Sequence, residues 1–324
     1  MNKKSINWGI LGAGKIAGKF AISLKQVENA CLYAVASRSQ EKATAFAEKF
    51  EVQKAFGSYE SMLQNKEIDI VYVATPHVFH YAHSMLSLDF GKAVLCEKPF
   101  AMNRKQVEEM IATAKTKNLL LMEAMWTPFL PHIQYLKELL ESQKYGKIKK
   151  LTADFGFDAP FDEQGRLFKK SLGGGSLLDI GIYPVFLALH TLGIPEKIEA
   201  KATLGKTEVD EDCEIRFLYR ENVKADLKSS IIKRTPTVAV FELEHAVIEI
   251  ASRWHEPSTI TIISSGETEM KNFEVASYGY EFEARHVQEM LFQGRTESNV
   301  MTFQKSLELI SLLDKVRELI KLEY

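Results

Sequence analysis

Three groups of residues in this chain have the types and spacing to do chemistry. The first is Gly12, Gly14 and Ala17 in GAGKIA, which follows the apolar run INWGIL and opens a helical pattern. Gly12 suits a sharp turn out of a strand, Gly14 lets backbone approach a pyrophosphate, and Ala17 lets helix pack closely on sheet. A helix starting near Lys15 and Ile16 aims unpaired N–H groups and the positive end of its dipole at phosphates. The second group is Glu97-Lys98-Pro99, at the carboxyl end of the apolar strand Ala93–Cys96. A lysine there can hydrogen-bond a hydroxyl or carbonyl and lower the pKa of a neighbouring acid; a surface ion pair with Glu97 is the plain alternative. The Lys98–Pro99 bond is a candidate cis peptide. The third group is Asp179 and Tyr183 in GGGSLLDIGIYP, four apart and so on one face of a helix. A carboxylate and a phenol on an apolar helix need partners, either as a simple buried hydrogen bond or as an acid–base pair. Gly173, Gly174 and Gly175 would permit close approach of a ligand or another chain, and Pro184 would kink the turn carrying Tyr183.

These groups need elements to hold them. A second apolar run, Leu32 to Ala36, ends in Ser37-Arg38-Ser39, with Lys42 one helical turn on. A dinucleotide fold that uses NAD commonly has an acidic residue at this place; a guanidinium, hydroxyls and an ammonium suit the 2′-phosphate of NADP instead. NADP is therefore the expected cofactor, ahead of NAD. Glu41–Phe50 reads as a helix, and Ser58 caps another ending near Asn65. Ile68–Ala74 reads as a strand buried on both faces and ends in Thr75-Pro76-His77, where open α/β sheets place ligands. His80 reads as a helix-start or packing histidine beside that cofactor end. Asn103 caps a helix to Lys117, and Leu119–Met122 closes a doubly wound α/β unit near Glu123. The pattern then changes. Helices over Pro128–Leu140 and Leu177–Leu192 accompany strands at Lys149–Phe157, Ile198–Leu204, Cys213–Tyr219, Val223–Ile232, Val238–Leu243, Val247–Ile250 and Ile260–Ser264. Consecutive strands imply mostly antiparallel pairing, so the second domain is an α+β sheet. The division falls as 1–123 and 124–324, and the tail forms two helices, Tyr280–Gly294 and Phe303–Tyr324, the last of which can pack back on the first domain. Glu283, Arg285 and His286 read as solvated or cap-forming.

Composition narrows the function further. The chain has 324 residues, long enough for two cores, and a net charge of -2, which makes no electrostatic case for nucleic acid or an anionic membrane. Cys31, Cys96 and Cys213 are too dispersed for a disulfide framework or a metal cluster, and the histidines lack ligand spacing, so no metal is expected. No uninterrupted apolar segment reaches membrane-spanning length, and MNKKSINWG has no secretory apolar region. A soluble, cytoplasmic protein is the expectation.

Taken together, GAGKIA, Ala74-Thr75-Pro76, Glu97-Lys98-Pro99, Glu123-Ala124-Met125-Trp126-Thr127 and Gly173 through Pro184 resemble the glucose-fructose oxidoreductase, inositol dehydrogenase and rhizopine-catabolism (Gfo/Idh/MocA) family over almost the whole chain. Tyr183, where many polyol dehydrogenases of the family have histidine, is similar to the subgroup of dimeric dihydrodiol and NADP-dependent D-xylose dehydrogenases. The arginine that often follows Trp126-Thr127 there is Pro128 here. The resemblance implies a Rossmann domain followed by an open α+β domain, with nicotinamide between them and a homodimer formed through the open sheet. It implies Lys98, Asp179 and Tyr183 as the catalytic set. It places cofactor contacts at Gly12, Gly14, Lys15, Ile16, Ser37, Arg38, Lys42, Thr75, Pro76, His80, Glu97, Lys98 and Trp126, and a sugar or vicinal diol near Trp126, Phe157, Phe161 and Tyr183. A sugar–sugar transhydrogenase with permanently bound NADP and a catalytically silent NADP sensor are the competing readings on the same fold.

Overall fold

Short apolar runs separated by amphipathic stretches can bury both strand faces only in a parallel sheet with helices on each side. The computed structural model, which describes residues 5–324, has that arrangement in its first half. Strands β1 (Ile6–Leu11), β2 (Ala30–Ala36), β3 (Lys54–Phe56), β4 (Ile70–Val73), β5 (Ala93–Glu97) and β6 (Leu121–Ala124) alternate with α1 (Lys15–Leu24), α2 (Gln40–Phe50), α3 (Tyr59–Leu63), α4 (His80–Asp89) and α5 (Arg104–Lys117). All pair in parallel, in the order β3-β2-β1-β4-β5-β6. The order reverses between β1 and β4, and the crevice beyond their carboxyl ends is where such sheets bind ligands. Both predicted caps are in place: Ser58 Oγ accepts from Ser61 N at 3.2 Å and Asn103 Oδ1 from Gln106 N at 3.0 Å. Strand β3, with three residues, is too short to leave a periodic signal.

The second half follows a different logic. Helix α6 (Pro131–Glu141) leads to β7 (Ile148–Gly156), and a π turn at Leu177–Gly181 runs into α7 (Ile182–Leu192). Strands β8 (Lys197–Leu204), β9 (Asp210–Leu218), β10 (Lys224–Ser230), β11 (Ala239–Leu243), β12 (Val247–Ile250), β13 (Ile260–Ser264) and β14 (Glu267–Lys271) follow, then α8 (Tyr280–Phe292) and α9 (Phe303–Ile320). With β7 they form an eight-stranded sheet ordered β14-β13-β12-β11-β7-β10-β9-β8, antiparallel except for the β7–β10 pair. Helix α7 packs on β7 and β10, and Ile182 through Leu189 are buried. Strand β14 is exposed at all five positions, so no apolar alternation marked it.

The chain forms two compact units, one of residues up to Trp126 together with Val275–Leu307, the other of Thr127–Glu274 together with Glu308–Tyr324. The break expected at 123/124 thus lies at 126/127, and the tail is divided. Helix α8 lies on α1, whereas most of α9 belongs to the second unit. Two further expectations change. Glu283 is neither solvated nor a cap but fully buried on α8, and His286 Nε2 lies 2.8 Å from Ser298 Oγ; of that trio Arg285 is exposed. The run Lys170–Leu192 is long and apolar enough by composition to cross a membrane, with 89% of its apolar window buried inside the protein. A helix apolar on all sides is also what the centre of a sheet-covering layer requires.

Candidate active site

The parallel register gathers the carboxyl ends of five strands. Leu11 stands opposite Ala36 and Val73, Val73 opposite Cys96, and Cys96 opposite Glu123. Every residue expected to hold the cofactor follows one of these positions within the first unit. Gly12 has φ 99°, and a Cβ there would stand 2.8 Å from Ala74 O, so only glycine fits between β1 and β4. A Cβ on Gly14, in contrast, would meet nothing within 4 Å, leaving open space above the backbone. Gly14 is the N-cap of α1, with no side-chain cap and no acidic residue in the first turn among the described residues. The N–H groups around Lys15 and Ile16 are therefore available to an anion. Close helix packing falls on Gly18, whose Cβ would lie 2.9 Å from the Phe50 ring, besides the buried Ala17.

Ser37 is buried and hydrogen-bonded through its N–H to Phe56 O at 3.1 Å, while Arg38 and Lys42 are exposed. Ser39 Oγ accepts from Lys42 N at 3.3 Å, so that serine is spent on capping α2. Beside Arg38 stand Tyr59 and His83, rings 4.7 Å apart, with Thr75 Oγ1 2.9 Å from His83 Nδ1. No local pattern marks Tyr59 and His83, because they sit on helices α3 and α4 and meet only through the sheet order. His80 is fully buried, its Nδ1 2.7 Å from Pro99 O and its Nε2 2.8 Å from Thr75 O. Burial pushes its pKa down to about 3, so the ring is neutral and can donate to only one of the two carbonyls. His80 thus ties the Thr75-Pro76 loop to the Lys98-Pro99 loop.

The Lys98–Pro99 peptide is cis. Glu97 is buried, accepts from the Tyr72 hydroxyl and accepts from Lys98 N at 3.2 Å, so a surface ion pair does not describe it. Glu123 lies on the next strand, its Oε1 accepting from Phe100 N at 3.0 Å. Burial pushes its carboxyl up to about 7, against the lowering effect of bonds from Ser306 and Phe100 and of the Lys98 charge. Glu283 is raised well above the carboxylate range, by burial first and then by the neighbouring Glu97. Trp126 is stacked on Tyr280 at 4.2 Å, and its buried Nε1 has no hydrogen-bond partner among the described residues. An uncapped helix start, open space at Gly14 and an orphaned indole donor fit a bound dinucleotide.

The second unit holds Asp179, Tyr183, Phe157 and Phe161. Asp179 lies on the π turn, an insertion that bulges a helix and is frequent at functional sites. Pro184, in the first turn of α7, has no N–H to continue the ladder where the π turn gives way to the α-helix. Tyr183 is 7% exposed, its ring 5.7 Å from Phe155 and 5.2 Å from His255. Phe155 and His255 are stacked at 3.9 Å, a wall that sequence reasoning missed because His255 lies in an irregular segment after β12. Phe157 packs with Phe168, Ile180 and Ile231; Phe161 is 53% exposed and edge-on to Phe168 at 5.0 Å.

Asp179 also has a partner that no motif announced. Arg166 Nη1 donates to Oδ1 at 2.9 Å and Nη2 to Oδ2 at 3.1 Å. The loop carrying Arg166 lies against the glycine run: Gly175 N donates to Leu167 O at 2.8 Å, and a Cβ on Gly174 would stand 2.7 Å from that same oxygen. Gly175, at φ 120°, has Asp210 Oδ1 only 2.1 Å from where its Cβ would be. The glycines therefore admit neighbouring segments of this chain, in place of the ligand or second chain expected. Asp210 then caps the turn, Oδ2 accepting from Leu177 N at 2.6 Å and from Ser176 Oγ at 2.8 Å. A depression of about 680 Å³ lies elsewhere, on the open face of the second sheet. Much of its charged lining is paired internally, as in Lys201–Glu214 at 2.8 Å and Arg216–Asp226 at 2.6 Å, and neither Lys98, Asp179 nor Tyr183 lines it.

The glycine turn, switch point and uncapped helix define a dinucleotide-binding oxidoreductase. Residues 6–125 match the oxidoreductase family, NAD-binding Rossmann fold, and residues 133–248 match the GFO/IDH/MocA C-terminal domain. The chain is 36% identical to trans-1,2-dihydrobenzene-1,2-diol dehydrogenase of Xenopus tropicalis over 98% of both chains. It belongs to the GFO/IDH/MocA family of NAD(P)-dependent oxidoreductases. Among solved structures it is similar to a 3-ketoreductase from Actinomadura kijaniata in complex with NADP and TDP-benzene, with TM-score 0.87, 25% identity and 97% of each chain covered. The fold also matches aldose-aldose oxidoreductase from Caulobacter crescentus, TM-score 0.89, 22% identity and 98% of each chain covered.

Proposed function

We propose that this protein transfers a hydride between NADP and a carbon bearing a hydroxyl in a sugar or vicinal diol. The full-length similarity to a diol dehydrogenase carries the reading. NADP is preferred because the end of β2 offers Ser37 and Arg38 and no carboxylate. Gly12, Gly14, Lys15 and Ile16 would bind the pyrophosphate, Arg38 and Lys42 the 2′-phosphate, Thr75 and Pro76 the ribose, and Glu97, Lys98 and Trp126 the nicotinamide end. His80 contributes by fixing the two loops it joins.

When bound, the nicotinamide supplies the hydride acceptor or donor. Tyr183 takes the hydroxyl proton as the substrate carbon gives up its hydride, and returns it when a carbonyl is reduced. Phenols ordinarily ionise near pH 10, so the Lys98 ammonium serves to favour the tyrosinate and to hold the substrate oxygen. Asp179 orients the hydroxyl, and the aromatic rings of Phe155, Phe157 and Phe161 suit the apolar face of a sugar or an aromatic diol. The test is the initial rate, followed by nicotinamide absorbance, with NADP and then NAD over aldoses, polyols and aromatic trans-diols in both directions. Turnover with NADP on one class supports the assignment; silence across the panel with NADP bound overturns it.

The reading extends to assembly and location. The open face of the second sheet carries Val247, Ile263 and Met270 exposed beside the ladder of paired charges, a surface suited to a second copy of the chain. Three free cysteines, two of them buried, fit a reducing cytoplasm. Light scattering of the wild type and of an Ile263→Lys variant tests the dimer, which the substitution should split.

A further inference from the structure

We propose that Arg166 is a positioning residue for the proton transfer: by gripping Asp179 it removes that carboxylate's charge from the neighbourhood of Tyr183. The inference rests on the reading of Tyr183 as the acid–base group. The Arg166–Asp179 contact is a fork, both guanidinium nitrogens meeting both carboxylate oxygens at 2.9 and 3.1 Å. Such pairs fix orientation as well as charge. The Asp179 side chain is only 15% exposed, so its charge is poorly screened by water. Four residues on, Tyr183 is the second residue of the α-helical part of the same element. An unneutralised carboxylate there would oppose formation of a tyrosinate, whereas the paired one does not.

Other groups lie around Tyr183 and the π turn. Strand β7 presents Phe155, β10 presents Ser229 to the π turn, and the segment after β12 presents His255, whose Nε2 is 3.9 Å from Glu256 Oε1. Lys98 is added by the mechanism proposed above. None of these is altered by changes at 166 and 179, so a shift that tracks those two positions belongs to the pair. The fork also explains the glycine run: the chain from Arg166 to Lys169 must lie directly on Gly174 and Gly175 to bring the guanidinium to the π turn.

The test is an ultraviolet titration of tyrosinate in the NADP-loaded full chain, taken as the difference from a Tyr183→Phe variant, so that no substrate is needed. Arg166→Gln should raise the midpoint by about one pH unit, a tenfold change in the ionised fraction. Asp179→Asn should lower it, the double variant should return it close to wild type, and Arg166→Lys should fall between wild type and Arg166→Gln because it keeps the charge without the fork. Shifts of the same sign in the two single variants, or no shift in either, overturn the proposal. If Arg166→Gln does not fold, Arg166→Lys and Asp179→Asn still decide the sign. Wild-type turnover by Tyr183→Phe would instead overturn the acid–base reading, and leaves the titration result interpretable by itself.

Discussion

The two units hold their functional residues in opposite ways. In the first, the residues lie at the end of a buried strand or in the turn and helix start that follow it, and adjacent parallel strands bring the strand ends into line. In the second, Asp179 and Tyr183 ride on a single helix whose opening turn is π rather than α, and that turn is held by Arg166, Leu167 and Asp210 from distant parts of the chain. A strand-end site tolerates change in its surroundings because the sheet hydrogen bonds define it. A site on an irregular turn depends on a few side chains that cap and clamp it, so its geometry is lost piecemeal.

The sharpest break between the units is kinetic. Tyr183→Phe should lower turnover about a thousandfold, within the usual range for a proton-transfer group, with NADP affinity unchanged in a fluorescence titration. Loss of both together would mean that the two units do not divide the work in this way.

Buried charge supplies the next contrast. The Glu123 carboxyl, ordinarily near 4.5, is raised to about 7 in the folded protein. The folded state therefore holds a proton that the unfolded chain releases, and the contribution is full below pH 4.5 and lost as pH rises through 7. At about 1.4 kcal/mol per pH unit the wild type should lose about 3 kcal/mol across that window relative to Glu123→Gln, read from urea unfolding at a series of pH values. Parallel curves for the two proteins would contradict a protonated Glu123.

Gly175→Ala strikes the clamp in the second unit. Its positive φ and the Asp210 carboxylate in the way should cost about 2 kcal/mol of stability, measured by the same unfolding, while the NADP titration stays at wild type. The smallest effect belongs to the exposed Arg38. Arg38→Ala should weaken NADP about tenfold and leave NAD unaffected, as expected for charge-assisted bonds to one phosphate. Equal loss for both cofactors would place Arg38 away from the 2′-phosphate.

Much of the first unit was legible because its signals are local. INWGILGAGKIA contains strand, turn and helix start within twelve residues, and Ser58 and Asn103 announce their helices by side-chain chemistry. Glu283 was misread because a glutamate on a helix usually faces water, and nothing in its own neighbourhood reports that α8 turns it towards Glu97. Arg166 was missed for a related reason. It sits in a polar loop, DEQGR, with the composition of an ordinary surface connection.

The Rossmann unit, the change to a mostly antiparallel sheet, the family, and the types of residue available for hydride and proton chemistry are all legible in contiguous periodicity or short motifs. Only the tertiary structure decided that His80 joins two loops, that the glycine run makes room for its own chain, and that Asp179 is gripped by Arg166. These are meetings of residues far apart in sequence, produced by strand order and by the bulge of one helical turn, and no local pattern encodes them.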